Sequence, residues 1–213
     1  MKTEALLTLG QWFSPACPTG AFAWSHGLEA AVADGWVTDA AGLEGWIADL
    51  LRYGSGRTDA ILLGEAFRAD PVTLSALVDL AQALAPTSER LAESCEQGAA
   101  FAAVIRAAWD VDLPAMALPL AIGRAAALTG LPLPPVVVLY LQSLASAQVQ
   151  AALRLMPLGQ TAGQVVLRRI SALCDSVAEE SLRLTVRDIG SSALGLDIAA
   201  MRHETLPSRI FRS

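Results

Sequence analysis

The chain has 213 residues, enough to bury a substantial core within one domain. Hydrophobic residues make up 54% of it and charged residues only 17%, with alanine and leucine the commonest, which favours packed helices and an all-α class. A formal net charge of −6 argues against sequence-independent nucleic-acid binding, which needs a positive surface to replace phosphate counterions.

From Met1 to Leu7 there is a short apolar stretch without a small-residue cleavage site, so no signal peptide is read. Cys17, Cys95 and Cys174 are far apart and form no CxxC pair, which points to neither a disulfide framework nor a zinc knuckle. A cytoplasmic location is expected. Residues 13–27 hold two prolines, two glycines and small polar groups, the mark of a turn-rich entry into a helix. That helix carries Leu28, Ala31 and Val32 and closes at Gly35. Thr38 or Asp39 then caps a second helix with an apolar face of Leu43, Trp46, Ile47, Leu50 and Leu51, ending near residues 54–56.

A third helix is predicted over residues 57–69, and Asp70-Pro71 opens a fourth along Leu74, Leu77, Val78, Ala81 and Leu84. Thr87 or Ser88 caps a long helix whose inner face is read as Leu91, Cys95, Gly98, Ala102, Ile105 and Trp109. Pro114 and Pro119 frame the next helix, which stops at Gly130. Between Arg124 and Arg154 no charged residue occurs, a gap long enough to span a bilayer. Gly130 and Pro132, Pro134 and Pro135 divide it, and Gln142, Ser143, Ser146, Gln148 and Gln150 interrupt its second part. The helix over 135–155 therefore reads as a central buried one, and no membrane partner is expected. After the Met156-Pro157-Leu158-Gly159 break, Thr161 is read as the cap of a last long helix running along Gly163, Val166, Leu167, Ile170, Leu173, Val177 and Leu184 to about Arg187. Residues 190–192 read as a flexible hinge. The expected architecture is one domain of about eight to ten helices over residues 1–190, followed by an extended or short-helical tail over 191–213.

A search for chemistry returns no GxxxxGK[ST] phosphate loop, no GxSxG elbow and no HExxH helix. Ser25 and His26 are adjacent in sequence, which does not place a base on a hydroxyl, and no acid is marked to orient them. Cys17, His26 and His203, with Glu29 and Glu204, are the residue types that bind divalent transition ions, so a metal-binding enzyme built on Cys17, His26 and His203 is the alternative reading. No catalytic residue, resident metal or other cofactor is assigned. Over residues 194–213, Arg202, Arg209 and Arg212 outnumber Asp197 and Glu204, so this segment is locally basic in an acidic chain. Arginines flanking Ile210-Phe211 are residue types enriched at protein interfaces. On the residues alone, docking onto the chain's own body and docking onto a partner both stay open.

Three stretches together carry a resemblance. The stretch from Cys17 to Glu29, CPTGAFAWSHGLE, with Gly20, Phe22, Ser25, His26, Gly27 and Glu29, is similar to the "LPVGAFSYSHGLE" element of the urease accessory protein UreF family. Arg154, Pro157, Leu158, Gly159 and Gln160 lie in a stretch that resembles that family's "VPLGQT" corner. The end of the chain, LDIAAMRHE and SRIFRS, resembles the family's terminus. Ser146-Ala147-Gln148-Val149 departs from an "ENQV"-like pattern, and Cys17 and Trp24 replace the commoner aliphatic residue and tyrosine. The resemblance implies an all-helical, non-enzymatic protein that dimerises, binds UreD (also called UreH) through its tail and recruits the nickel-binding GTPase UreG. It further implies delivery of nickel to urease apoprotein coupled to GTP hydrolysis. Carried over by position, Arg202, His203, Glu204, Arg209, Ile210, Phe211 and Arg212 become the candidate partner-binding residues.

Overall fold

The computed structural model describes residues 2–213. Among these, helices account for all the regular structure: α1 (Thr3–Trp12), α2 (Leu28–Ala33), α3 (Ala40–Tyr53), α4 (Ser55–Arg68), α5 (Pro71–Ala83), α6 (Ser88–Trp109), α7 (Leu118–Leu128), α8 (Leu133–Leu155), α9 (Gln160–Ser181) and α10 (Leu194–His203), with short 3-10 turns at Ala21–Ala23 and Val186–Asp188. The expected cap chemistry holds at α3, α5 and α6. Asp39 accepts from the Gly42 amide, Asp70 from Thr73 and Thr87 from Arg90, each satisfying an amide that the first helical turn leaves free. All five residues of the predicted α3 face are buried.

Helix α4 is central and lies against α3, α7, α8 and α9, while α8 pairs with α9 and α6 with α7. Helices α4 and α7 approach closely at Gly123, where a Cβ would collide with the Leu63 carbonyl of α4. Helix α8 has the length and apolarity of a membrane span. Here it is packed against α2, α3, α4, α7 and α9, with Val136, Val137, Tyr140, Leu141, Ala145 and Val149 buried.

Five readings of the sequence need correction. Helix α1 was not anticipated, because Leu9 and Trp12 are its only buried residues and give the pattern little to repeat. Trp12 nonetheless meets the core, edge-on to Phe101 at 5.3 Å. Helix α9 stops at Ser181 and does not reach Arg187. Thr185 and Asp188 form a reciprocal capping box that starts a 3-10 turn instead. Its N-cap is Gly159, without a side-chain bond, and not Thr161. In the first half of α6 the buried side chains are Arg90, Glu93 and Gln97, while Leu91 and Cys95 are only half-buried. Residues 190–192 are also tied down, since the Tyr53 carbonyl accepts from the Ser192 amide at 3.0 Å and the Ser191 hydroxyl at 3.2 Å.

Candidate functional site

The entry to α2 makes one wall of the site. His26 (φ 60°) and Gly27 (φ 81°) both take left-handed backbone conformations. At Gly27 a Cβ would lie 2.8 Å from the Ala200 amide nitrogen, so only glycine lets α2 and α10 approach this closely. A histidine at positive φ is uncommon, and here it is over-determined by its neighbours. The His26 amide donates to the Ser213 hydroxyl at 3.2 Å, and its Nε2 lies 2.6 Å from the Ser55 hydroxyl. Its Nδ1 faces Glu93 Oε1 at 3.5 Å. Burial, reinforced by the nearby Arg90 guanidinium, pulls the His26 pKa down to about 4, so the ring is neutral at physiological pH.

The tail folds back into this wall. His203 is fully buried, with Nε2 at 3.1 Å from Glu29 Oε2 and Nδ1 at 2.6 Å from Glu89 Oε2. Each ring nitrogen therefore faces a carboxylate oxygen. Glu204 caps the start of α6, its Oε1 accepting from the Ser88 amide at 2.9 Å and the Ser88 hydroxyl at 2.6 Å. Those bonds depress its pKa, the Ser88 hydroxyl first. Arg202 pairs with Asp34 and lies over the Trp36 ring.

Beyond the helix the chain is held through its backbone. Glu29 accepts from the Ile210 amide at 2.7 Å and the Phe211 amide at 2.8 Å, the Ala23 carbonyl accepts from Arg212 at 2.9 Å, and the Ser25 amide donates to the Ser213 carbonyl at 2.9 Å. Phe211 is 4% exposed, whereas Ile210 is 59% exposed. Arg209 pairs with Glu89, and Arg212 makes a two-pronged pair with Glu96 at 2.6 and 2.8 Å. That pairing raises the Arg212 pKa and lowers that of Glu96. Arg212 also lies 4.2 Å from the centre of the Trp24 ring, a cation–π contact.

The corner after α8 supplies Arg154. Its guanidinium lies 4.1 Å from the centre of the Phe211 ring and donates to the Phe22 carbonyl at 2.8 Å. It thereby joins the corner, the N-terminal motif and the tail, three segments well apart along the chain. Phe22 itself is 81% exposed. Pro157, Gly159 and Gln160 stand at the end of α8 and the start of α9, and Leu158 packs against the core.

Several site residues escaped sequence reasoning, chiefly Glu89, Arg90, Glu93 and Glu96. Glu93 is 7% exposed and takes bonds from Arg90, the Ser213 hydroxyl at 2.6 Å and Gln97 at 3.4 Å. Burial works against its charge, but Arg90, His26 and Ser213 outweigh it and hold the carboxyl well below the usual range. Their signal was the spacing 89, 93, 96, one helix face, which reads as a solvated stripe unless a basic segment is known to cover it. Gln148 was also undervalued. It is 2% exposed and bridges the Trp46 indole N–H at 3.1 Å and the Ser25 carbonyl at 3.3 Å.

The metal-enzyme alternative is not supported by this geometry. Among the described residues no group of three or more His, Cys, Asp or Glu side chains is placed to hold a metal ion, so Cys17, His26 and His203 do not form a ligand set. His203 faces carboxylates through both ring nitrogens and His26 gives its Nε2 to Ser55, while burial raises the Cys17 thiol pKa, away from the thiolate that metals take.

The site is an all-helical body whose polar features converge on a seated basic tail, with exposed guanidinium and apolar groups at its rim, residue types enriched where proteins meet other proteins. The UreF family model matches residues 37–171. A relative named urease accessory protein UreF from Cereibacter sphaeroides is 55% identical over 211 residues, covering 99% of this chain and all of the relative. Proteins of the same name from Ruegeria pomeroyi and Roseobacter denitrificans are 46% and 44% identical, covering 99% and 100% of this chain and 97% and 96% of their own lengths. The chain belongs to the UreF family of urease accessory proteins.

Proposed function

We propose that this chain is a scaffold for nickel insertion into urease. As a homodimer in the cytoplasm it binds UreD (UreH) through the tail, recruits the GTPase UreG to urease apoprotein, and couples GTP hydrolysis to delivery of nickel as cargo. The observation that carries the partner step is the division of labour within the tail. Phe211 and His203 are spent on the chain's own body, while Ile210, Arg209, Arg212 and the neighbouring Phe22 and Arg154 remain at the surface. Exposed guanidinium and apolar groups around a fixed backbone suit an acidic, partly apolar partner surface, which arginine recognises with planar geometry.

The test is the affinity of the full chain for UreD, compared with an Ile210→Ala, Arg212→Ala double variant. We expect binding to weaken about tenfold or more, the range of interface hot spots, with helicity and melting temperature close to those of the parent. Undiminished affinity in a folded double variant would remove the tail from the interface.

A further inference from the structure

The tail is seated by carboxylates of two kinds. Glu89, Glu93 and Glu96 form a ladder along one face of α6 and meet Arg209, Ser213 and Arg212 respectively. The Glu96–Arg212 rung is a surface ion pair with both side chains about half exposed, and such pairs add little because water screens them, while Glu89, less exposed, divides its oxygens between Arg209 and the buried His203. Glu29 is different. It is 7% exposed, belongs to the N-terminal motif at the start of α2, and spends both oxygens on buried donors: the Ile210 amide on Oε1, and the Phe211 amide and His203 Nε2 on Oε2.

A carboxylate removed from water is stable only when its lone pairs are satisfied, and here most of that satisfaction comes from the tail. Two of the three donors are backbone amides of successive residues. Contact with a backbone amide does not depend on side-chain identity, so Glu29 fixes the path of the chain and not its composition. Pinning neighbouring amides to one carboxylate determines which side chain turns inward. Phe211 enters the body beneath Arg154, and Ile210 stays out.

We propose that Glu29 is the positioning residue of the docking surface: it sets the conformation of residues 209–213 in which Phe211 is inward and Ile210 is presented, and the α6 ladder reinforces a seat that Glu29 defines. The proposal rests on the partner reading above. It makes the N-terminal motif and the tail one functional unit through a residue that itself touches no partner.

Amide hydrogen exchange on the full-length chain tests it, comparing Glu29→Gln with the parent. The amide side chain keeps the size but loses the charge and replaces one acceptor by a donor facing donors. Exchange over residues 208–213 is expected to rise about tenfold or more, with α3 and α8 unchanged, because the opening is local. Glu96→Gln, which removes only a surface pair, is expected to give a much smaller rise. Partner affinity supplies a reading that a purely structural role would not give. Glu29→Gln is expected to weaken binding in the parent chain and to add nothing further in the Ile210→Ala, Arg212→Ala background, because both act through one surface.

Unchanged protection of residues 208–213 in Glu29→Gln, or additive losses of affinity, would overturn the proposal. Failure of the docking reading looks different: the double variant alone keeps full affinity whatever Glu29 does to exchange. Should Glu29→Gln not fold, Glu29→Asp, which keeps the charge and shortens the reach by one methylene, must show the same local opening. If neither folds, Glu29 serves the whole domain and the positioning role is lost.

Discussion

Trp46 and Ser25 lie on separate segments, and one side chain joins them. The Gln148 amide accepts from the Trp46 indole and donates to the Ser25 carbonyl, wholly out of water. A buried polar group whose partner is removed costs its full desolvation penalty, so Gln148→Leu, close in volume, is expected to destabilise the fold by about 2 kcal/mol. Chemical denaturation followed by tryptophan fluorescence measures this, and a change within a few tenths would mean that the bridge contributes nothing. From sequence alone Gln148 read as a polar interruption in an apolar helix, with its role in doubt because the surrounding segment departs from the family pattern. That was a limit of principle. A helical position reports which face a residue occupies, whereas the two groups that make Gln148 necessary come from 102 and 123 residues away.

Among the elements, α4 and α7 approach closely, and Gly123 is what permits it. An exposed helical glycine normally gains up to about 1 kcal/mol on replacement by alanine. Here the added Cβ would collide with the Leu63 carbonyl, which belongs to backbone and has no rotamer to escape into. Gly123→Ala is therefore expected to destabilise by about 2 kcal/mol or more, as overpacking does, and thermal unfolding reads the sign directly. Most helices were legible because their apolar residues recur at helical spacing: Leu43, Trp46, Ile47, Leu50 and Leu51 on α3 are all buried as the pattern requires. Helix α6 was legible as a helix but misread in rotation over its first half. Its cap was read as Thr87 or Ser88 and Thr87 supplies it, yet an interior of Arg90, Glu93 and Gln97 contradicts the rule that charges face water. The rule yields because the tail brings the Ser213 hydroxyl and its backbone to that face, and Arg90 supplies the countercharge. The tail motifs pointed to a docking segment, but neither its arginines nor its Ile-Phe pair indicated which helix would receive it.

Across the whole molecule, pH dependence sums three buried groups that act with opposite signs. His26 titrates near 6.5 when unfolded and about 4 when folded, so the unfolded chain takes up a proton that the folded chain refuses, and stability is lost as pH falls from 6.5 to 4. Asp59 does the reverse. Burial raises its carboxyl from 3.8 to about 6 against the Tyr140 hydroxyl bond at 2.6 Å and the Arg90 charge, so the folded state binds the proton first and gains stability over nearly the same interval. The two spans oppose each other, so Asp59 reduces the loss that His26 alone would cause between pH 6 and 4. Glu93 then decides the outcome. Its folded pKa lies well below 4.5, so the stability it contributes is fully present above that value and is lost as pH falls further. Because Glu93 binds the Ser213 hydroxyl, that loss should begin at the tail. The compensation is testable with Asp59→Asn, which keeps an acceptor for Tyr140 but removes the opposing titration. Melting temperature in the variant is expected to decline more steeply between pH 6.5 and 4 than in the parent. Parallel profiles for the two proteins would show that His26 and Asp59 do not offset each other.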